Sequence, residues 1–211
     1  MSKNSSEVME ILKRVGALIT DSHIVGASGR HMSAYINKDA IYPHTAEASR
    51  IGEFFAENHK DLNIEAVVGP ALGGIILSQW TAYHLSRIKG KEIFGVYTEK
   101  DRDSNQIFTR GYDKLILGRK ILVVEDITTT GGSAKKVVEA VKATGGRPIA
   151  VSVIVNREPE RVNSETMGAP FTALSEFPAE SYEERDCPLC RQGVPINTAV
   201  GHGKKYLEGK K

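Results

Sequence analysis

The run KILVVED at 120–126 constrains the fold more than any other stretch of the chain. It is apolar except at its two ends, so we interpret it as a strand that is covered on both faces. Such a strand belongs in the middle of a mostly parallel sheet with helices on each side. The residues after it, ITTTGGS, are typical of a turn between a strand and a helix.

The flanking segments supply the other elements of such a sheet. Apolar residues at helical spacing predict a helix over 5–19, and Thr45 is the predicted cap of a second helix. The remaining elements alternate, with strands predicted at 64–70, 92–100, 147–157 and 171–177 and helices at 73–90 and 133–146. This order predicts an α/β fold with a mostly parallel central sheet flanked by helices.

Composition excludes several classes of function. The chain has 211 residues, 40% of them hydrophobic, and a formal net charge of +2, which argues against a nucleic-acid or membrane partner. The longest apolar stretch, AVVGPALGGIIL, is too short to span a membrane, and the N-terminus does not look like a signal peptide. With only two cysteines, a reducing, cytoplasmic location is expected.

The polar run after the central strand is suited to bind phosphate. Glycines let backbone N–H groups turn toward one point, hydroxyls add donors, and the next helix adds its positive end. Glu125 and Asp126 would repel a phosphate beside them, but they suit ribose hydroxyls or a metal one step away. A ribose 5-phosphate would suit both parts, with its phosphate at the polar run and its hydroxyls at the acidic pair. The alternative is a capped turn with two exposed acids.

VVEDITTTGGS at 123–133 resembles the phosphoribosyl pyrophosphate (PRPP) signature of the type I phosphoribosyltransferases, and within that family the chain is most similar to orotate enzymes. SGRHMSAYIN resembles their N-terminal hood, the small cap over the sheet. Three further segments resemble the pyrophosphate loop, the lysine-bearing strand and the base-contacting strand: VVGPALGGIILS, FGVYTEK and SVIVNRE. The resemblance covers about 22–160 and implies one domain, with a core at about 46–160 and a hood from about 1–45 and 161–211.

The resemblance also implies a role for each matching residue. Glu125 and Asp126 would bind the ribose hydroxyls, directly or through magnesium, and Asp126 is a candidate catalytic residue with Lys100 and Arg102. Arg157 would contact the base, and Lys100 would contact the pyrophosphate. The 5-phosphate would be bound by Thr128, Thr129, Thr130, Gly131, Gly132 and Ser133, and the pyrophosphate by Pro70, Ala71, Leu72, Gly73 and Gly74.

The implied reaction moves the phosphoribosyl group of PRPP to a nucleobase, with orotate as the best single choice. Magnesium is the implied cofactor, and a homodimer is the implied assembly. The polar segment 101–113 would close as a lid, and Arg102 or Arg110 would supply its positive charge.

Three positions depart from the orotate pattern. Glu99 and Asp103 stand where an arginine and a lysine are usual, and Ala27 stands where the hood has a lysine. These departures keep open a PRPP-binding regulator or weakly active paralogue. A purine-base enzyme is a further alternative, with Phe171 or Phe177 stacking on the base.

The C-terminal CPLC supplies two candidate zinc ligands, Cys187 and Cys190. Zinc takes four ligands, and His202 could be the third, while the sequence indicates no fourth. A reduced pair of thiols in a loop is the alternative.

Overall fold

A computed structural model describes residues 4–26, 28–178 and 180–209, so the predicted departure at Ala27 lies outside the described residues. The helices are α1 Ser5–Arg14, α2 Thr45–His59, α3 Gly73–Lys89, α4 Asp113–Ile116, α5 Gly132–Ala143, α6 Ser164–Met167, α7 Pro188–Arg191 and α8 Gly203–Glu208. The strands are β1 Leu18–Ile19, β2 Ile24–Val25, β3 His31–Met32, β4 Tyr35–Ile36, β5 Ala66–Pro70, β6 Phe94–Lys100, β7 Gln106–Ile107, β8 Lys120–Thr128, β9 Arg147–Asn156, β10 Phe171–Glu176 and β11 Ser181–Tyr182.

The central sheet has six strands in the order β10, β9, β8, β5, β6, β7, and every neighbouring pair except β6 and β7 is parallel. Strand β8 is interior, and alternate side chains enter two separate hydrophobic clusters. Leu122 and Val124 lie in one cluster, while Ile121 and Val123 lie in the other. The predicted mid-sheet strand is therefore confirmed.

Several element boundaries differ from the prediction by a few residues, and three differences affect the architecture. The first helix ends at Arg14, because Leu18 and Ile19 pair instead with β4. The segment 101–113 is not all loop, since β7 pairs with the end of β6. Strand β10 forms the edge of the central sheet, so the sheet extends beyond the predicted core limit at 160.

Segments from both ends of the chain meet above the sheet. Strands β2, β3 and β11 form a small antiparallel sheet. The backbone N–H groups of Asn197 and His202 donate to the carbonyls of His23 and Val25, each at 2.8 Å. We call this unit the hood. Among the described helices, none has the length and apolar character needed to cross a membrane.

Candidate active site

A cleft of about 350 Å³ opens where the parallel strands end. It brings together nine of the residues selected from the sequence: Pro70, Ala71, Leu72, Gly73, Lys100, Glu125, Asp126, Ser133 and Arg157. A second hollow, of about 670 Å³, shares Tyr35 and Arg157 with the first and adds Thr129 and Thr130. We call the two together the strand-end cleft. Its position follows from the topology, because the carboxyl ends of parallel strands meet at one edge.

The acidic pair lies on β8 and is almost completely buried, with Glu125 7% and Asp126 5% exposed. One Asp126 carboxylate oxygen accepts from the hydroxyl of Tyr42 at 2.8 Å and lies 3.6 Å from the ammonium of Lys38. The other accepts from the N–H of Ile127 at 2.6 Å. The alternative of two exposed acids is thus wrong for this chain.

Burial and the neighbouring charges shift the pKa values of Glu125 and Lys38. Burial, followed by the charge of Asp126, raises the pKa of Glu125 to about 8, and Lys38 and Lys100 only partly oppose this. Burial lowers the pKa of Lys38, but Asp126 and Asp39 outweigh it and the net shift is upward. Holding both acids in their charged form at this buried position is therefore costly without a further cation.

The loop after β8 divides into a structural and an exposed part. Thr128 is buried, and its hydroxyl oxygen accepts from the N–H of Gly131 at 3.0 Å. Gly131 has φ +78°, which a residue with a side chain rarely adopts, and it precedes α5 directly. Thr129, Thr130, Gly132 and Ser133 are exposed at the N-terminus of α5.

The loop after β5 approaches the acidic pair closely. The Ala71–Leu72 peptide is cis, and α3 begins at Gly73. A Cβ on Gly73 would collide with the Tyr42 hydroxyl and the Asp126 carboxylate. Only glycine therefore permits this approach. Gly74 is buried in the first turn of α3.

Glu99, just before the lid segment, contacts two residues of the lid. Glu99 accepts a hydrogen bond from the Thr109 hydroxyl and lies 3.5 Å from Arg110. These contacts, with the Thr109 hydrogen bond first, lower the pKa of Glu99. Arg102 is exposed and lies outside the residues that line the cleft, whereas Lys100 lines it.

Arg157 stands between the two parts of the cleft. Its Nη2 lies 3.6 Å from the sulfur of Met32, and its buried Nε has no hydrogen-bond partner among the described residues. No carboxylate of the described chain lies within ion-pair distance of it. Burial lowers the pKa of Arg157. The guanidinium is thus placed to receive an anion.

Some site residues were missed by sequence reasoning. Tyr42 and Lys38 contact Asp126 although they are more than 80 positions away. Tyr35 and Gln106 also line the cleft. Lys38 follows directly after the hood segment SGRHMSAYIN, and this was the one signal that could have indicated it.

Phe171 and Phe177, considered above as a stack for a purine, pack against the hydrophobic clusters. Neither is among the residues that line the strand-end cleft. The structure gives the purine alternative no aromatic support from these two side chains.

The cysteines lie away from this cleft. Cys187 and Cys190 come together with His23 and His31, and the four ligand atoms lie within 4.8 Å of one another. His202, considered above as a ligand, is not part of the group. We call these four residues the His/Cys cluster.

Comparison with known proteins identifies a matching family, related sequences and similar solved structures. A family model described as the phosphoribosyl transferase domain matches residues 37–168. An orotate phosphoribosyltransferase of Thermotoga maritima is 34% identical over 198 residues, which are 94% of this chain and 100% of that protein. One from Thermus thermophilus is 33% identical over 190 residues, 90% of this chain and 98% of that protein. A solved orotate phosphoribosyltransferase of Mycobacterium tuberculosis, in complex with Fe(III) dicitrate, superposes with a TM-score of 0.65 at 23% identity, over 82% of this chain and 97% of that one.

Proposed function

The chain belongs to the phosphoribosyltransferase family, and on that premise we propose that it transfers the 5-phosphoribosyl group of PRPP to orotate. The products are orotidine 5-phosphate and pyrophosphate, so the enzyme is a pentosyltransferase of pyrimidine biosynthesis. Full-length similarity to curated orotate phosphoribosyltransferases supports this choice of base. The observation in the molecule that carries it is the buried, unpaired Nε of Arg157 at the cleft.

PRPP fits the strand-end cleft along its length. The exposed hydroxyls and N–H groups at the start of α5 bind the 5-phosphate. Glu125 and Asp126 face the ribose hydroxyls. The backbone of Ala71 to Gly73, with Lys100, binds the pyrophosphate. Thr128 acts indirectly in this scheme, because its hydroxyl oxygen already stabilises the turn.

The acidic pair fits a magnesium ion. Magnesium prefers oxygen ligands, and two adjacent buried carboxylates supply them. Burial and the charge of Asp126 raise the pKa of Glu125, and a cation bound beside the pair would favour its charged form. Glu125 and Asp126 would hold the ion, directly or through water. Bound magnesium would supply charge neutralisation for the departing pyrophosphate.

The protein's own part in the chemistry is electrostatic. The bond between C1 and pyrophosphate breaks through a cation-like sugar, and the base nitrogen attacks from the opposite face. Lys100 faces the growing negative charge, and the buried acids face the positive sugar. Asp126 is held in place by Tyr42, Lys38 and the Ile127 N–H. Closure of the lid would exclude water, which would otherwise hydrolyse PRPP.

Arg157 selects the base in this proposal. A buried guanidinium without an anion is costly, and the carboxylate of orotate offers two parallel hydrogen bonds. Uracil lacks this carboxylate, and adenine and hypoxanthine carry no anion in its place. Discrimination against uracil by about 10²–10³ in kcat/KM is expected from the loss of one charged pair.

One observation favours a second candidate, a weakly active paralogue or PRPP-binding regulator. Glu99 engages Arg110, and Arg102 lies outside the cleft, so the lid brings no cation into it in this conformation. The two candidates share the PRPP site and differ in turnover.

The test is pyrophosphate release from PRPP and magnesium with orotate, uracil, adenine, hypoxanthine and xanthine in parallel. Orotate alone should support release. Arg157→Lys should raise the KM for orotate by about 10²-fold and leave the KM for PRPP within about threefold, because lysine keeps the charge but loses the planar fork. Arg87→Lys, at an exposed helical position, is the matched control.

Equal use of orotate and uracil would contradict the role of Arg157. PRPP binding without release for any base would favour the regulator. The homodimer stays a prediction that analytical sedimentation of the purified chain would test. The cytoplasmic location stays a prediction that cell fractionation would test.

A further inference from the structure

The His/Cys cluster lies in the hood and shares no residue with the strand-end cleft. His23 precedes β2, and His31 begins β3. Cys187 directly precedes α7, and Cys190 lies within its single turn. Three of the four residues are buried: His23 is 2% exposed, and His31 and Cys187 are 0% exposed.

The ligand atoms converge on one point. His23 Nε2 lies 2.7 Å from His31 Nδ1 and 3.7 Å from the sulfur of each cysteine. His31 Nδ1 lies 3.3 Å from the Cys190 sulfur. Zinc bonds of about 2.0–2.3 Å in a tetrahedron separate the ligand atoms by about 3.4–3.8 Å. The two distances from His23 Nε2 to the sulfurs lie within this range, and the 3.3 Å distance from His31 Nδ1 to the Cys190 sulfur lies just below it. The two nitrogens would have to move apart by about 0.7 Å to reach it.

A second contact orients His23 for this role. Its Nδ1 lies 2.7 Å from the carbonyl oxygen of Val194. Because a carbonyl only accepts hydrogen bonds, Nδ1 carries the hydrogen and Nε2 presents its lone pair to the cluster. Histidine ligands of metals are commonly fixed in this way by a backbone carbonyl.

From this geometry we propose that the cluster is a structural zinc site with His23, His31, Cys187 and Cys190 as its four ligands. Nitrogen and sulfur donors select zinc over magnesium or calcium. Two thiolates balance the charge of the ion, and neutral imidazoles complete the shell. Four protein ligands close the site, so no position remains for a substrate.

The zinc joins distant parts of the chain. It connects the strands at 24–25 and 31–32 to the C-terminal segment that begins at 181. His31 is followed by Met32, whose sulfur contacts Arg157. The ring of Tyr206 from α8 also packs edge-on against His31, with 5.1 Å between the ring centres. The ion therefore stabilises the hood over the strand-end cleft.

The proposal does not depend on the proposed function and is tested on the purified full chain by elemental analysis. About one zinc per chain is expected in the wild type. Cys190→Ser should retain less than about a fifth of that metal. His202→Ala, a histidine of the same C-terminal region outside the cluster, is the matched control and should keep it all.

Cobalt exchange gives a second readout that does not require a folded variant. Wild-type protein reconstituted with Co²⁺ should show the strong visible absorption of a tetrahedral site and thiolate-to-metal charge transfer. A chelator strong enough to remove the metal should lower the Tm of wild type and His202→Ala by roughly 10 °C, because binding is coupled to folding.

Reduced wild-type protein that is purified without metal and gives no tetrahedral cobalt spectrum would overturn the proposal. A Cys187–Cys190 disulfide in protein prepared under reducing conditions would overturn it as well. Loss of metal in His202→Ala to the same extent as in Cys190→Ser would show that the ligand set is wrong.

Discussion

The strand-end cleft and the His/Cys cluster are both built from buried polar side chains, but they are assembled differently. Glu125 and Asp126 are neighbours on one strand, and the phosphate loop follows them without a break. The cluster joins His23 to Cys187 across 164 positions. The first arrangement can be recognised in a short stretch of sequence. The second exists only after the two ends of the chain have met.

The two sites also differ in how their charge is balanced. In the acidic pair, burial and the neighbouring charge of Asp126 raise the pKa of Glu125, and the nearby lysines oppose this only in part. The cluster balances its charge when two thiolates and an ion combine. A site for a substrate can therefore remain electrostatically costly until the substrate binds, whereas a structural site stabilises the resting fold.

The largest expected effect comes from Asp126→Asn. The amide keeps the size of the side chain. Its single oxygen can accept from the Ile127 N–H, while its NH2 group takes the place of the oxygen that accepts from Tyr42 and can donate to the tyrosine oxygen instead. It removes the charge that faces the sugar, so kcat/KM should fall by at least about 10³. Steady-state kinetics and Tm are measured together, with Asp113→Asn at an exposed position as control.

Asp126→Asn should leave Tm within about 3 °C of wild type, which corresponds to roughly 1 kcal/mol for a chain of this size. A larger loss of Tm with little loss of activity would contradict this prediction, because Asp126 would then be a structural residue.

A smaller but pH-dependent effect is expected from Glu125→Gln. The folded pKa of Glu125 is about 8, above its ordinary value of 4.5, so the folded protein keeps a proton that the unfolded chain loses. In wild type, Glu125 therefore costs stability as pH rises from about 4.5 to about 8. Glutamine removes this cost and should stabilise the protein more at pH 8 than at pH 5.

The gain is on the order of a few kcal/mol at most, since one pKa unit corresponds to about 1.4 kcal/mol. Urea unfolding at both pH values measures it, with Glu139→Gln on the exposed face of α5 as control. Equal stability of Glu125→Gln and wild type at pH 8 would mean that the acidic pair is already neutralised in the resting protein.

The smallest expected effects concern the lid. Glu99 holds Arg110 at 3.5 Å, whereas Arg102 makes no ion pair with the described residues and can reach over the cleft when the lid closes. Arg102→Ala should lower kcat by about tenfold and Arg110→Ala by less than about threefold. Stopped-time assays with saturating PRPP and orotate compare the two variants directly.

The reverse order, with Arg110→Ala the slower enzyme, would assign the catalytic cation to Arg110. The contact with Glu99 would then be one that opens during turnover. No loss in either variant would remove both arginines from the chemistry and leave Lys100 as the cation at the pyrophosphate.

Much of the site could be predicted because its parts are local. Strand β8, the acids at its end and the loop before α5 form one continuous motif, and parallel topology places the ends of β5, β6 and β9 beside it. Tyr42 and Lys38 could not be predicted from spacing. They reach Asp126 from outside the sheet, through packing of the segment between β4 and α2.

Hydrophobic periodicity and turn residues act over short distances, so they were enough to predict a mostly parallel sheet around β8 and the acidic and T/G/S-rich motif after it. The order of the strands within the sheet was not predicted from the sequence. Only the tertiary structure decided that Thr128 supports the turn, that Glu99 holds Arg110, and that His23 and His31 rather than His202 join the cysteines. These outcomes depend on contacts between segments far apart along the chain. Their geometry is fixed by how the hood, the lid and the sheet pack together, and no local pattern records it.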